Sequence, residues 1–180
     1  MSHYDLNHFV RELEARLPQA QDQLQAVQVV SGAMQKLLSN DYLLDPDFVR
    51  ALRHGQTDNQ VYHSPGLDFV VQVFGWQPGA ETPIHDHETW GVMGIYAEEL
   101  EIREYDLLPT GQAGQFDLNQ KAHYRAGRGA ISYLLSPQDE IHHISNPGPN
   151  YALSIHVYGN PIQNYHEFDL EKGRITRVGS

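Results

Sequence analysis

The chain has 180 residues and a formal net charge of −11, from 23 acidic and 12 basic side chains, with 40% hydrophobic and 19% charged residues. This length and balance suit one globular unit with a real core, and the excess negative charge argues against nucleic-acid or anionic-membrane partners. With Cys 0, disulfides, thiolate zinc ribbons and cysteine nucleophiles are excluded, so metal or redox chemistry has to run on histidine.

The first fifty-odd residues read as helical. Leu6, Phe9, Val10, Leu13 and Leu17 share one helical face that ends at Pro18. Leu24, Val27, Val30, Met34 and Leu37-Leu38 repeat the pattern, and Asp45-Pro46 opens a third, short helix as N-cap and first helical position. These helices carry no metal-type or nucleophile–base grouping and are expected to be packing material. The opening Met1-Ser2-His3-Tyr4-Asp5 does not read as a signal peptide, and no apolar run approaches bilayer length. A cytoplasmic location agrees with the absence of cysteine.

From about Gln60 the texture changes to short β-branched and aromatic runs: Leu67–Trp76, Trp90–Tyr96, Glu99–Tyr105, Gly129–Leu135 and Tyr151–Tyr158. Breakers separate them at Gln77-Pro78-Gly79, Pro109-Thr110-Gly111, Ser136-Pro137 and Pro147-Gly148-Pro149. Many short strands at this spacing predict a mainly β jelly roll, the double-stranded β-helix of cupins, over residues 60–168. Residues 1–55 would pack their helices on this barrel, and 169–180 would form a tail, all in one domain. The last stretch, Gly159–Ser180, has the mixed character of a strand or hairpin.

The strongest chemical signal is Thr82-Pro83-Ile84-His85-Asp86-His87. On a strand His85 and His87 face the same side, close enough to share one ion, while Asp86 faces away. Such a pair can also merely decorate a sheet. A second segment, Pro137-Gln138-Asp139-Glu140-Ile141-His142-His143-Ile144-Ser145-Asn146, supplies a third ligand. Gly79 followed by His85-x-His87 matches the first cupin motif; Pro137, Asp139, His142 and Asn146 match the second, and that register selects His142 over His143. Asp139 stands where the motif has glycine, a place where positive φ is expected. Glu88 directly follows His87 and points away, so a three-histidine site without a carboxylate is expected. Three neutral imidazoles leave open positions on an M²⁺ ion for an anionic substrate and O₂, although a hydrolytic zinc site can use the same set.

Ser154, His156 and Tyr158 alternate along one strand, spaced by roughly 6–7 Å per pair, and can form a hydrogen-bonded row ending in a phenol. An accidental alternation of polar residues on a half-buried strand is the plain alternative. A serine-hydrolase arrangement is poorly matched, since the row ends in tyrosine and nothing marks an oxyanion loop.

On three blocks the sequence resembles the thiol dioxygenases, the cysteine dioxygenase type of cupin: His85-Asp86-His87 with Trp90-Gly91, His142-x-x-x-Asn146, and Ser154-Ile155-His156-Val157-Tyr158. The resemblance covers roughly Gln60 to Phe168. It implies Fe(II) held by His85, His87 and His142, and a reaction adding both atoms of O₂ to a small thiol to give a sulfinate. It also implies that Tyr158 hydrogen-bonds substrate or oxygen, oriented by His156 and Ser154. Gly91 occupies the place where some members carry a cysteine cross-linked to this tyrosine, as in bacterial-type members.

The substrate is left open by the same comparison. Cysteine-specific members clamp the carboxylate with an arginine upstream of the first pair, but this chain has no Lys or Arg between Arg53 and Arg103. Gln60 and Tyr62 are the nearby candidates. Members that use 3-mercaptopropionate place an arginine before a Phe-Asp pair; here Gln163-Asn164-Tyr165 precede Phe168-Asp169. Arg103, on the strand after the metal pair, is a third candidate. A zinc hydrolase or isomerase and a non-catalytic ligand-binding cupin are the competing readings.

Overall fold

The structure, a computed structural model, describes residues 4–56, 59–108 and 116–179. The turn predicted at Pro109-Thr110-Gly111 lies outside the described residues. Among the described residues three α-helices come first: α1 (Leu6–Arg16), α2 (Gln23–Leu38) and α3 (Pro46–Arg53). Each starts on an aspartate that accepts a backbone N–H of the first turn: Asp5 from His8, Asp22 from Gln25, and Asp45 from Asp47 and Phe48. Such caps satisfy donors that the helix itself leaves orphaned. The apolar stripes are buried at their centres, with Leu6 and Leu17 half-buried at the ends of the first and Leu24, in the first turn of α2, exposed.

Eleven strands follow among the described residues: β1 (Gln60–His63), β2 (Val70–Trp76), β3 (Ile84–His85), β4 (Gly91–Ala97), β5 (Glu99–Leu108), β6 (Asp117–Gly127), β7 (Ile131–Leu134), β8 (His142–Ser145), β9 (Ala152–Tyr158), β10 (Asn164–Asp169) and β11 (Arg174–Gly179). They form a five-stranded sheet in the order β1-β2-β9-β4-β7 and a six-stranded sheet in the order β11-β10-β3-β8-β5-β6. Neighbouring strands are antiparallel. This is the mainly β, cupin-type double-stranded β-helix, with helices at its N-terminal side.

Strand β9 shows how the sequence builds the interior. All seven of its residues are buried, because both faces are covered. Leu153, Ile155 and Val157 join Val71, Val73 and Val92 against Phe9, Leu13, Val30, Met34 and Leu37 of the helices. Ala152 joins Trp76, Met93, Ile95, Leu100, Ile102 and Ile144 in a second cluster inside the barrel. Alternation then obliges Ser154, His156 and Tyr158 to point inward.

The loops bring the two histidine segments together. Gly79, at φ +80, takes a turn that a side chain would strain. Its N–H donates to Asn146 O at 2.9 Å, and Asn146 N–H donates to Ala80 O at 2.8 Å. The Asn146 amide also donates to Trp76 O and Asn150 O, at 2.9 and 2.8 Å. The motif asparagine is thus a clamp between segments rather than a ligand.

One expectation changes, and two parts of the sheet go beyond the sequence reading. Asp139 is not in the left-handed region; it bridges Leu135 through paired backbone bonds and its carboxylate meets Lys121. Strand β6 was not legible, because its outer-edge position leaves only Ala126 buried and no apolar alternation is needed. The six-stranded sheet also runs past residue 168: β10 pairs with β3, and β11 lengthens the same sheet as its partner in a hairpin.

Candidate metal centre

Strands β3 and β8 pair with His85 opposite His142, so both side chains leave the sheet on one face. His87 lies two residues further on. The three rings sit 4.7–4.9 Å apart between centroids, and one nitrogen from each falls within 4.8 Å of the others. Burial pushes the His85 imidazolium down and those of His87 and His142 well down, so all three stay neutral with lone pairs free. His85 Nδ1 lies 3.0 Å from Pro83 O; a proton donated there leaves Nε2 as the ligating atom. The buried Nδ1 of His87 has no hydrogen-bond partner among the described residues. Three converging neutral imidazoles fit a divalent first-row metal ion.

The neighbouring residues turn elsewhere. His143 pairs with Arg103 on the opposite face and lies 3.5 Å from Glu81. Asp86 is buried, and its carboxylate accepts from His166 N–H at 2.7 Å and meets His166 Nδ1 at 2.9 Å. Glu88 has φ +54 and faces His166 and Arg177, each at 3.8 Å. Among the described residues no carboxylate joins the three histidines.

A carboxylate missed in the sequence holds the site from behind. Glu140 is buried, accepts from the His87 backbone N–H at 3.2 Å and from Ser136 Oγ at 2.9 Å. Its signal was there, an acidic residue two before His142, but nothing local shows that it reaches the other motif. Glu140→Ala leaves the His87 N–H unsatisfied in a buried place, a cost of about 1–3 kcal/mol. Metal affinity is expected to fall by roughly 10–100-fold, the scale for losing an orienting partner, with Glu140→Gln falling less because its carbonyl can still accept. Chelator competition measures this, and unchanged affinity in both variants would show that strand pairing alone places His87.

The inward row of β9 is connected throughout. Trp76 Nε1–H donates to Ser154 Oγ at 2.8 Å, Ser154 Oγ meets His156 Nε2 at 2.8 Å, and His156 Nδ1 meets Tyr158 Oη at 2.9 Å. Indole can only donate, so the Ser154 hydrogen is satisfied by passing it to Nε2. The single imidazole proton then sits on Nδ1 and goes to Tyr158 Oη, leaving the phenol hydrogen free for the cavity. Burial pushes His156 down to about 3 and raises the Tyr158 phenol, so both are neutral. The Tyr158 ring stacks on His87 at 5.2 Å. Gly91 makes room for it: a Cβ there would lie 2.9 Å from Tyr158 Cδ1.

A cavity of about 300 Å³ lies over the histidines and Tyr158, walled by Phe74, Trp76, Ile144, Ile162 and Tyr165. The three residues proposed from sequence to bind substrate are not among its walls. Tyr62 pairs with Val71, faces the helix-side core and donates its hydroxyl to Glu14. Arg103 alternates with Ile102 and Glu104, which face inward, so it projects outward and donates to Glu101 at 2.7 Å. Gln60 pairs with Gln72 at the sheet's edge strand and is exposed. Tyr165, whose ring lies 6.2 Å from that of His85, was seen in the sequence only as part of a segment without arginine.

A jelly roll that gathers three neutral imidazoles beneath an apolar cavity defines a metal-dependent cupin. The model of the family described as cysteine dioxygenase type I matches residues 10–171, and the chain belongs to that family. It is therefore a cupin oxidoreductase of the dioxygenase type. Similar solved structures include a conserved protein with a double-stranded β-helix domain from Klebsiella pneumoniae, 18% identical over 66% of this chain and 87% of that one, at a TM-score of 0.46. An oxalate oxidase is 17% identical over 55% and 45%, at 0.43. An acetylacetone dioxygenase from Acinetobacter johnsonii is 12% identical over 67% and 68%, at 0.42. These are distant likenesses.

Proposed function

We propose that the protein is a non-haem iron(II) thiol dioxygenase of the cytoplasm, converting a small thiol RSH and O₂ into the sulfinic acid RSO₂H. Sulfur loses four electrons and O₂ gains them, so no further reductant enters. Iron held by His85, His87 and His142 would supply the redox chemistry that joins thiol sulfur to O₂. The observation that carries this reading is the buried row from Trp76 through Ser154 and His156 to Tyr158, which ends beside His87 at a three-histidine site.

The protein's own part is to position and to exclude water. Tyr158 offers a neutral hydrogen-bond donor at a fixed point above the histidines, and the chain behind it holds the phenol in one orientation. Apolar walls keep bulk water from the reacting groups. A hydrolytic reading that relies on a side-chain general base needs one that accepts a proton near neutral pH. His156, pushed down to about 3 with both ring nitrogens engaged, does not meet that need.

Anaerobic loading with iron(II), followed by O₂ uptake over a panel of small thiols, tests the proposal. One O₂ consumed per thiol, with both oxygen atoms of labelled O₂ recovered in the sulfinate, is the expected result. Iron-loaded protein that consumes no O₂ with any thiol, or activity restricted to zinc-loaded protein, overturns it.

A further inference from the structure

The cavity over the histidines has no Lys or Arg in its wall, so the metal alone would bring positive charge there. All 12 basic residues of the chain fall among the described residues, and none lines it. Three of them have partners away from the cavity. Arg53 lies over the Tyr151 ring at 4.8 Å, Arg103 is bonded to Glu101, and Arg177 lies 3.8 Å from Glu88.

A fixed charge of the opposite sign lies on the histidine face. Glu167 pairs with His85 across β10 and β3, and so leaves the sheet on the histidine face. Asp86 also lines the cavity, but its carboxylate is turned to His166. The wall's polar hydrogens are few and neutral. The Trp76 N–H is spent on Ser154, and the Tyr165 hydroxyl points to Glu167 at 3.5 Å. The Tyr158 phenol remains, with the Thr82 hydroxyl, whose oxygen already accepts from Ile144 N–H. A carboxylate carried into this space would lose its water beside the Glu167 carboxylate, with no basic side chain in the wall to replace that water, since the metal's charge is taken up by the thiol sulfur. An apolar tail would meet Phe74, Trp76, Ile144, Ile162 and Tyr165, and bury its surface against them.

Resting on the thiol-oxidising reading above, we propose that the substrate is an uncharged thiol with a small apolar or aromatic tail, selected by the wall of Phe74, Trp76, Ile144, Ile162 and Tyr165. At about 300 Å³ the space is at the small end of ligand pockets, which suits a tail of one ring and not a larger ligand. The wall acts in two ways, by apolar burial of the right tail and by refusal of a charged one.

The test isolates charge from shape by comparing 3-mercaptopropionate with its methyl ester, alongside benzyl mercaptan. Anaerobic protein loaded with cobalt(II) is titrated with each, reading the sulfur-to-cobalt absorption band. The ester should bind roughly 10-fold or more tighter than the acid, and benzyl mercaptan at least as tightly as the ester. O₂ uptake by iron-loaded protein should follow the same order. Acid binding as tightly as ester overturns the substrate class while leaving thiol oxidation standing. Cobalt-loaded protein that shows no sulfur band with any thiol overturns the thiol reading itself. In Ile162→Arg, with Ile162→Met as the neutral control, the acid should tighten by about 10-fold relative to the ester. An unchanged ratio there overturns Ile162's place in the selecting wall.

Discussion

Replacing His142 by alanine should abolish metal binding, while replacing its neighbour His143 should leave it near the unsubstituted level. The two residues are adjacent on β8 and therefore leave the sheet on opposite faces. His142 stands opposite His85 in the β3–β8 pair; His143 stands opposite Arg103 in the β5–β8 pair. Only the first brings its ring within 4.8 Å of His85 and 4.9 Å of His87 between centroids. Two imidazoles make a much weaker site than three, so His142→Ala should lose more than the roughly 10–100-fold typical of a partner behind the ligands. His143, with 11% of its side chain exposed and a 3.5 Å approach to Glu81, contributes to the outer face alone. Metal content after anaerobic loading, with chelator competition, reads both variants. Equal losses would remove the register argument, and full loading of His142→Ala would remove the site.

Much of this arrangement is written in short-range pattern. The helix cap at Asp45 is local, since its side chain reaches backbone N–H groups two and three residues away, and it is visible in sequence for that reason; the caps at Asp5 and Asp22 are found in the structure. Strand alternation likewise sends Ser154, His156 and Tyr158 to one side and Leu153, Ile155 and Val157 to the other. What alternation does not say is which side is the barrel interior. Arg103 and Tyr62 were placed near substrate on position along the chain, yet each belongs to the face turned from the histidines. Contacts made across the fold are equally silent in sequence. Glu140 reaches the His87 backbone over 53 residues and Trp76 reaches Ser154 over 78, and neither pairing has a local signature. Strand β6 escaped for a different reason: an edge with little to bury has no need of the apolar period by which strands are recognised.

Tyr158→Phe should keep the fold and the bound metal but lower turnover on the order of 10²-fold or more, the scale for losing one positioned donor. The ring is buried, stacks on His87 at 5.2 Å and would still fill its place as phenylalanine, so packing is nearly conserved. Lost is the single hydrogen that the row behind Tyr158 directs into the cavity. Without the phenol, His156 Nδ1–H also loses its acceptor at 2.9 Å, which leaves a second buried group unsatisfied. His156→Ala removes the orientation of the phenol but not the phenol, and should therefore be the milder single change. If the two act as one chain, Tyr158→Phe/His156→Ala should be little slower than Tyr158→Phe alone, because an oriented donor that is absent cannot be lost again. Turnover on the thiol that binds best, measured with equal metal content in all three variants, decides the matter. Losses that multiply would mean that His156 acts on the reaction by some path other than Tyr158, and a Tyr158→Phe protein with undiminished turnover would leave the row as packing.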